Sequence, residues 1–169
     1  AHGRVPLQTA SVEDGDRFQA LGASGQVHHV PGHTLGAVAY EVGNALFTGD
    51  TLFLGGCGRV FEGDGPQMHA SLERLGALDP GLAVYCGHEY TLANLRFGAE
   101  VEPDNSAIRN RLAQVEARRS QGEATVPGTL AEELETNVFL RAAHHAARLK
   151  MTPAEAFTHL RTQKDHFRP

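Results

Sequence analysis

The chain has 169 residues, 41% of them hydrophobic and 21% charged. That composition is outside the low-hydrophobicity signature of disorder, and the length suffices for one domain with a core or a domain portion plus a small second unit. A formal net charge of −5 argues against a general nucleic-acid binder, because neutralising phosphates takes a basic face. Cys57 and Cys86 are too few for a disulfide framework, and no apolar run approaches the roughly 18 residues of a membrane span. With no N-terminal targeting pattern, the chain reads as a soluble cytoplasmic protein; opening on Ala1 rather than methionine, it reads as starting inside a longer one.

Short β-prone runs come first, over Gln26–Val30, Gly36–Val42 and Ala45–Phe47, separated by the turn signals Pro31-Gly32 and Gly43-Asn44. They predict a β-meander. Pro66–Leu78 then sets Met68, Leu72, Leu75 and Leu78 at helical spacing, and Leu82–Cys86 is an apolar strand. From Thr91 onward helix formers dominate. Asp104 is the expected cap of a helix reaching Ser120, with Ile108, Leu112 and Val115 on one stripe. Capping boxes at Thr129/Glu132 and Thr152/Glu155, the second with Pro153 at the first helical position, predict two further helix starts.

Three segments put metal-ligating residue types directly after strands: Pro31-Gly32-His33-Thr34, Thr48-Gly49-Asp50-Thr51 and Cys86-Gly87-His88-Glu89. In each a glycine precedes the donor, which lets the chain turn at the strand end and aim the donor into a shared cleft. Two imidazoles and a carboxylate suit a borderline cation such as zinc, and a carboxylate, having two oxygens, can bridge two ions. Asp50 is therefore the natural bridging residue. Taken singly, each of the three is as readily an ordinary turn residue. Neither cysteine has a nearby histidine and orienting group, so both are expected to be structural thiols.

Taken together, PGHT, FTGDTLF, GGCGR and YCGHEYTLANLRF resemble, in order and spacing, glyoxalase II, the hydroxyacylglutathione hydrolase branch of the metallo-β-lactamase superfamily. The resemblance continues through Val126-Pro127-Gly128-Thr129-Leu130, Asn137-Val138-Phe139-Leu140-Arg141 and Lys164-Asp165. It implies an α/β (α+β) fold: residues 1–90 as the C-terminal half of an αββα sandwich, and residues 91–169 as a helical domain that recognises the glutathione conjugate. It further implies two divalent metal ions, zinc first with iron or manganese as alternatives. His33 would bind the first, Asp50 would bridge and act as the catalytic carboxylate, and His88 would bind the second. A hydroxide held between the ions would hydrolyse S-(2-hydroxyacyl)glutathione, such as S-D-lactoylglutathione, to glutathione and a 2-hydroxy acid.

The family's other ligands come from an HxHxDH segment. The pairs His28-His29 and His144-His145 have neither that spacing nor the aspartate. The missing sandwich half is thus expected from the same or another chain, and without it the remaining sheet should expose its inner apolar face.

For the substrate, the resemblance assigns Arg59, Arg161 and Lys164 to the glycine carboxylate of glutathione and Tyr90 to a hydroxyl contact. Phe61 stands where the family often has a hydroxylated aromatic, and Val138 replaces a proline, a change expected to alter only a helix start. Two other readings stand beside hydrolysis: an iron-dependent glutathione persulfide dioxygenase of the same superfamily, and a catalytically incomplete fragment retaining only the binding surface.

Overall fold

The computed structural model describes residues 9–20 and 22–168. Strands β1 (Arg17–Ala20), β2 (Ala23–His29), β3 (Val38–Val42) and β4 (Ala45–Gly49) form an antiparallel meander. A small hairpin follows, β5 (Leu52–Phe53) and β6 (Gly56–Cys57), and then helix α1 (Gly65–Gly76). Strand β7 (Ala83–Cys86) pairs parallel to β4, as a crossover through a helix allows. Helices α2 (Thr91–Val101) and α3 (Ser106–Ser120) lead to the two-residue strand β8 (Gly128–Thr129), which closes the sheet in the order β1-β2-β3-β4-β7-β8. Helices α4 (Leu130–Thr136), α5 (Ala142–Leu149) and α6 (Pro153–His166) complete the chain.

β2, β3, β4, α1 and β7 fall where the β-prone runs and helical spacing predicted them, β1 lies ahead of the predicted runs, and the α/β class holds. Both capping boxes form: Thr129 and Thr152 each accept from the backbone N–H three residues on, while Glu132 and Glu155 reach back to the caps. One cap differs. Asn105, not Asp104, starts α3, with its side-chain oxygen accepting from the N–H groups of Ala107 and Ile108. The two neighbours are comparable caps by residue type, and the amide is favoured here because its nitrogen also donates to Glu102 at 2.7 Å. Val138 is not at a helix start either. It is fully buried in the link between α4 and α5, so it fills the core.

Period-two alternation divides the sheet's side chains. Ala39, Leu46 and Val84 lie on one face in a single apolar cluster with Met68, Leu72 and Leu75 of α1, and with Phe139, Phe157 and Leu160 from the helical part. Each of these fully buried valine, leucine, methionine and phenylalanine side chains contributes roughly 1.5–3 kcal/mol by leaving water. The opposite face carries Phe18 edge-on to Tyr40, and Phe47 stacked on Tyr85 at 5.2 Å. Phe47 remains 43% and Tyr85 38% exposed. Among the described residues this part of the sheet is an aromatic face open to water. No helix among these residues is long and apolar enough to cross a membrane.

Candidate metal centre and anion cleft

The structure brings the three strand-end donors together around Asp50. Gly49, with φ of 52°, turns the chain out of β4 and delivers Asp50. Gly87 passes so close that a Cβ there would lie 2.4 Å from the Asp50 Oδ1. The Asp50 carboxylate thus sits between two imidazoles: Oδ2 is 3.5 Å from His33 Nε2, and Oδ1 is 3.5 Å from His88 Nε2.

These separations test the site for a cation. His33 Nδ1 lies 2.9 Å from the Arg59 carbonyl oxygen. A carbonyl only accepts, so Nδ1 carries the hydrogen and donates, leaving the Nε2 lone pair on the side of Asp50. That arrangement, a ring nitrogen fixed through its other nitrogen, is the usual one for a metal-binding histidine. A ring-nitrogen lone pair and a carboxylate oxygen are both acceptors and make no hydrogen bond to each other. Two donors each about 2.1 Å from one tetrahedral ion lie roughly 3.4 Å apart. The residues fit a divalent ion on each side of the carboxylate. Among the described residues no three donors converge on one point, because Asp50 is central and the histidines flank it. Each ion would receive two of these donors, against the three or four protein ligands that zinc usually takes.

The donors line a cleft of about 540 Å³ that also takes in Arg59, Phe61, Tyr90, Arg161 and Lys164. All the predicted site residues therefore meet. Phe61, 68% exposed, leans on the His33 ring at a centroid distance of 5.0 Å. Tyr90 stacks on His88 at 4.8 Å and meets Phe53 edge-on. Arg161 is only 8% exposed; it donates to the Cys57 carbonyl at 2.9 Å and to Asp165 Oδ1 at 3.1 Å, with its guanidinium over the Phe139 ring. Lys164 donates to the Ala93 carbonyl at 2.7 Å beside the rings of Phe97 and Phe167. Burial, reinforced by the charge of Arg161, pulls the Lys164 ammonium down to about 8.

Phe53, Asn94, Asp165 and Arg168 also line the cleft and were not singled out from the sequence. Phe53, Asn94 and Asp165 do lie in segments that carry the resemblance, but none was given a role there. The hairpin running from Asp50 to Arg59 is braced by the helical part. Asn137 donates to the carbonyls of Phe53 (3.2 Å) and Gly56 (2.9 Å), Asn94 donates to Leu54 (3.1 Å), and Glu133 accepts from the Gly55 N–H (2.8 Å). Burial pushes the Glu133 carboxyl up, against the pull of Arg111 2.6 Å away. Glu89, next to His88, is tied to Thr125 through both its N–H and hydroxyl groups. Cys57 is buried, its thiol pushed up to about 11 by desolvation, and the Cys86 thiol is raised for the same reason. Neither has the low-pKa environment of a nucleophilic thiolate.

Residues 4–88 match the metallo-beta-lactamase superfamily, and residues 89–167 match the hydroxyacylglutathione hydrolase C-terminus. Relatives named hydroxyacylglutathione hydrolase include those of Pseudomonas aeruginosa (45% identical, 99% of this chain and 69% of the relative) and Synechococcus sp. (50%, 97% and 68%). That of Aeromonas hydrophila is 49% identical over 92% of this chain and 65% of its own. Among solved structures, ETHE1 from Myxococcus xanthus superposes with a TM-score of 0.66 at 25% identity, covering 100% of this chain and 58% of that one. A metallo-beta-lactamase from Staphylococcus aureus, at 0.57 and 20% identity, covers 96% of this chain and 45% of that one and shares the fold. The chain thus spans about two thirds of the length of the hydrolases it matches. With both of its parts matched and its relatives 45–50% identical, the chain belongs to the hydroxyacylglutathione hydrolase family of metal-dependent hydrolases, within the metallo-β-lactamase superfamily.

Proposed function

We propose that this chain supplies the bridging carboxylate, two histidines and the substrate cleft of an enzyme that hydrolyses S-(2-hydroxyacyl)glutathione, with S-D-lactoylglutathione as the reference substrate. The observation that carries this is the Asp50 carboxylate, each oxygen 3.5 Å from a different imidazole, on a cleft also lined by Arg59, Arg161 and Lys164. Divalent ions held there, zinc first with iron or manganese as alternatives, would activate water at neutral pH and polarise the thioester carbonyl. Asp50 would bridge, and His33 and His88 would each complete one side. His33 is kept in the required tautomer by the Arg59 carbonyl. Arg59, Arg161 and Lys164 would orient the substrate by its glycine carboxylate, so residues 91–169 act as the recognition domain. Phe61 and Tyr90 pack against the rings of His33 and His88. The remaining ligands and the second sheet would come from outside the described residues, with the open aromatic face of Phe47 and Tyr85 as their seat.

In the protein that carries this chain, thioester hydrolysis should be abolished by a chelator and restored by metal, with no oxygen uptake. Oxygen consumption by an iron-only preparation would instead support the persulfide dioxygenase reading. Binding of glutathione without turnover would support the incomplete-fragment reading.

A further inference from the structure

We propose that Asp165 is a positioning residue, holding the Arg59 guanidinium across the cleft so that the cationic wall is set before an anionic ligand arrives. The proposal rests on the glutathione-thioester reading of this site. Asp165 Oδ1 accepts from Arg161 at 3.1 Å and lies 3.4 Å from Arg59 Nε. The two arginines differ in what else restrains them. Arg161 is anchored without Asp165, by the Cys57 carbonyl and the Phe139 ring. The Arg59 side chain is 64% exposed, and Asp165 is the only carboxylate within ion-pair distance of it among the described residues. Remove that carboxylate and Arg59 loses the one ion-pair partner it has among the described residues, while Arg161 keeps two other anchors.

A carboxylate in a site for carboxylates has two opposing effects. Its charge repels an incoming anion, but in a wet, salt-screened cleft this weakens binding only about twofold. Immobilising a rotamer-rich side chain at the moment of binding weakens it by up to about tenfold. At the upper end of that range pre-positioning outweighs repulsion, and losing Asp165 should weaken binding by up to about fivefold. Turnover should change little. The contact from Arg59 to His33 runs through the main-chain carbonyl and does not depend on where the guanidinium lies.

The test is steady-state kinetics on the protein that carries this chain, with calorimetric binding of S-methylglutathione, a thioether that cannot be hydrolysed as a thioester. Asp165→Asn should raise KM for S-D-lactoylglutathione and Kd for the thioether by up to about fivefold, with kcat within about twofold; Asp165→Glu should recover most of the loss. An unchanged or lowered KM and Kd in the Asn variant, or no recovery in the Glu variant, overturns the assignment. A wild-type protein that binds the thioether without hydrolysing the thioester overturns the functional reading alone, and the Kd comparison still decides the role of Asp165. One that binds neither ligand overturns both.

Discussion

Lys164 gives the cleft a pH dependence that can be worked out from its surroundings. The ammonium is half-buried against Phe97 and Phe167 with Arg161 nearby, and titrates near 8 rather than 10.5. A group with that pKa is about nine-tenths protonated at pH 7 and about one-tenth at pH 9. If the charged form holds a substrate carboxylate, Kd for S-methylglutathione should rise about tenfold between those pH values. Binding of the anion favours the ammonium, so the rise should begin near pH 8, the value in the free protein, and level off only above the higher value in the complex. Lys164→Met should bind weakly at pH 7 and show a flat profile. Calorimetric titrations at half-unit pH intervals on both proteins would follow this. A flat profile for the wild type, or an equal slope in the Met variant, would refute the role given to Lys164.

Other outcomes follow from the same structure. Glu102 accepts from His145, Arg141 and Asn105, and these partners outweigh burial to hold its carboxyl down at about 2. A depressed carboxylate contributes stability that is fully present above its unfolded value near 4.5 and is lost as pH falls through 2. Glu102→Gln should therefore cost about 2–3 kcal/mol in urea unfolding at pH 7, shrinking by more than half at pH 3; a cost independent of pH contradicts it. Asp50→Asn removes the two-oxygen bridge and should lower both metal content and thioester hydrolysis, the latter by about a hundredfold or more; elemental analysis beside the rate assay checks this. Phe47→Ser should cost under about 1 kcal/mol in this chain alone and roughly 1.5–3 kcal/mol where a second sheet covers it; equal costs in the two proteins would mean the face stays open.

What could be read from the sequence was local. His33, Asp50 and His88 stood out because each follows a glycine at a strand end, and α4 and α6 because their capping boxes occupy four consecutive residues. Spacing could not choose between Asp104 and Asn105, neighbours of similar capping strength; the bond from Asn105 to Glu102 favours one of them. Strand β8 has two residues and no pattern to detect. Phe53 and Asp165 were missed for a deeper reason. Phe53 reaches the cleft because Asn137, far along the chain, braces its carbonyl, and Asp165 matters because Arg59 folds back to meet it. Such pairings are fixed by the packed core, and no window of sequence contains both partners.

The central claim is that Asp50 joins two metal sites. Anomalous scattering at the zinc edge, from crystals of zinc-loaded protein carrying this chain, tests it most directly. Two peaks are predicted, one between Asp50 Oδ2 and His33 and the other between Oδ1 and His88. A single peak, or ions that leave Asp50 uncoordinated, would contradict it.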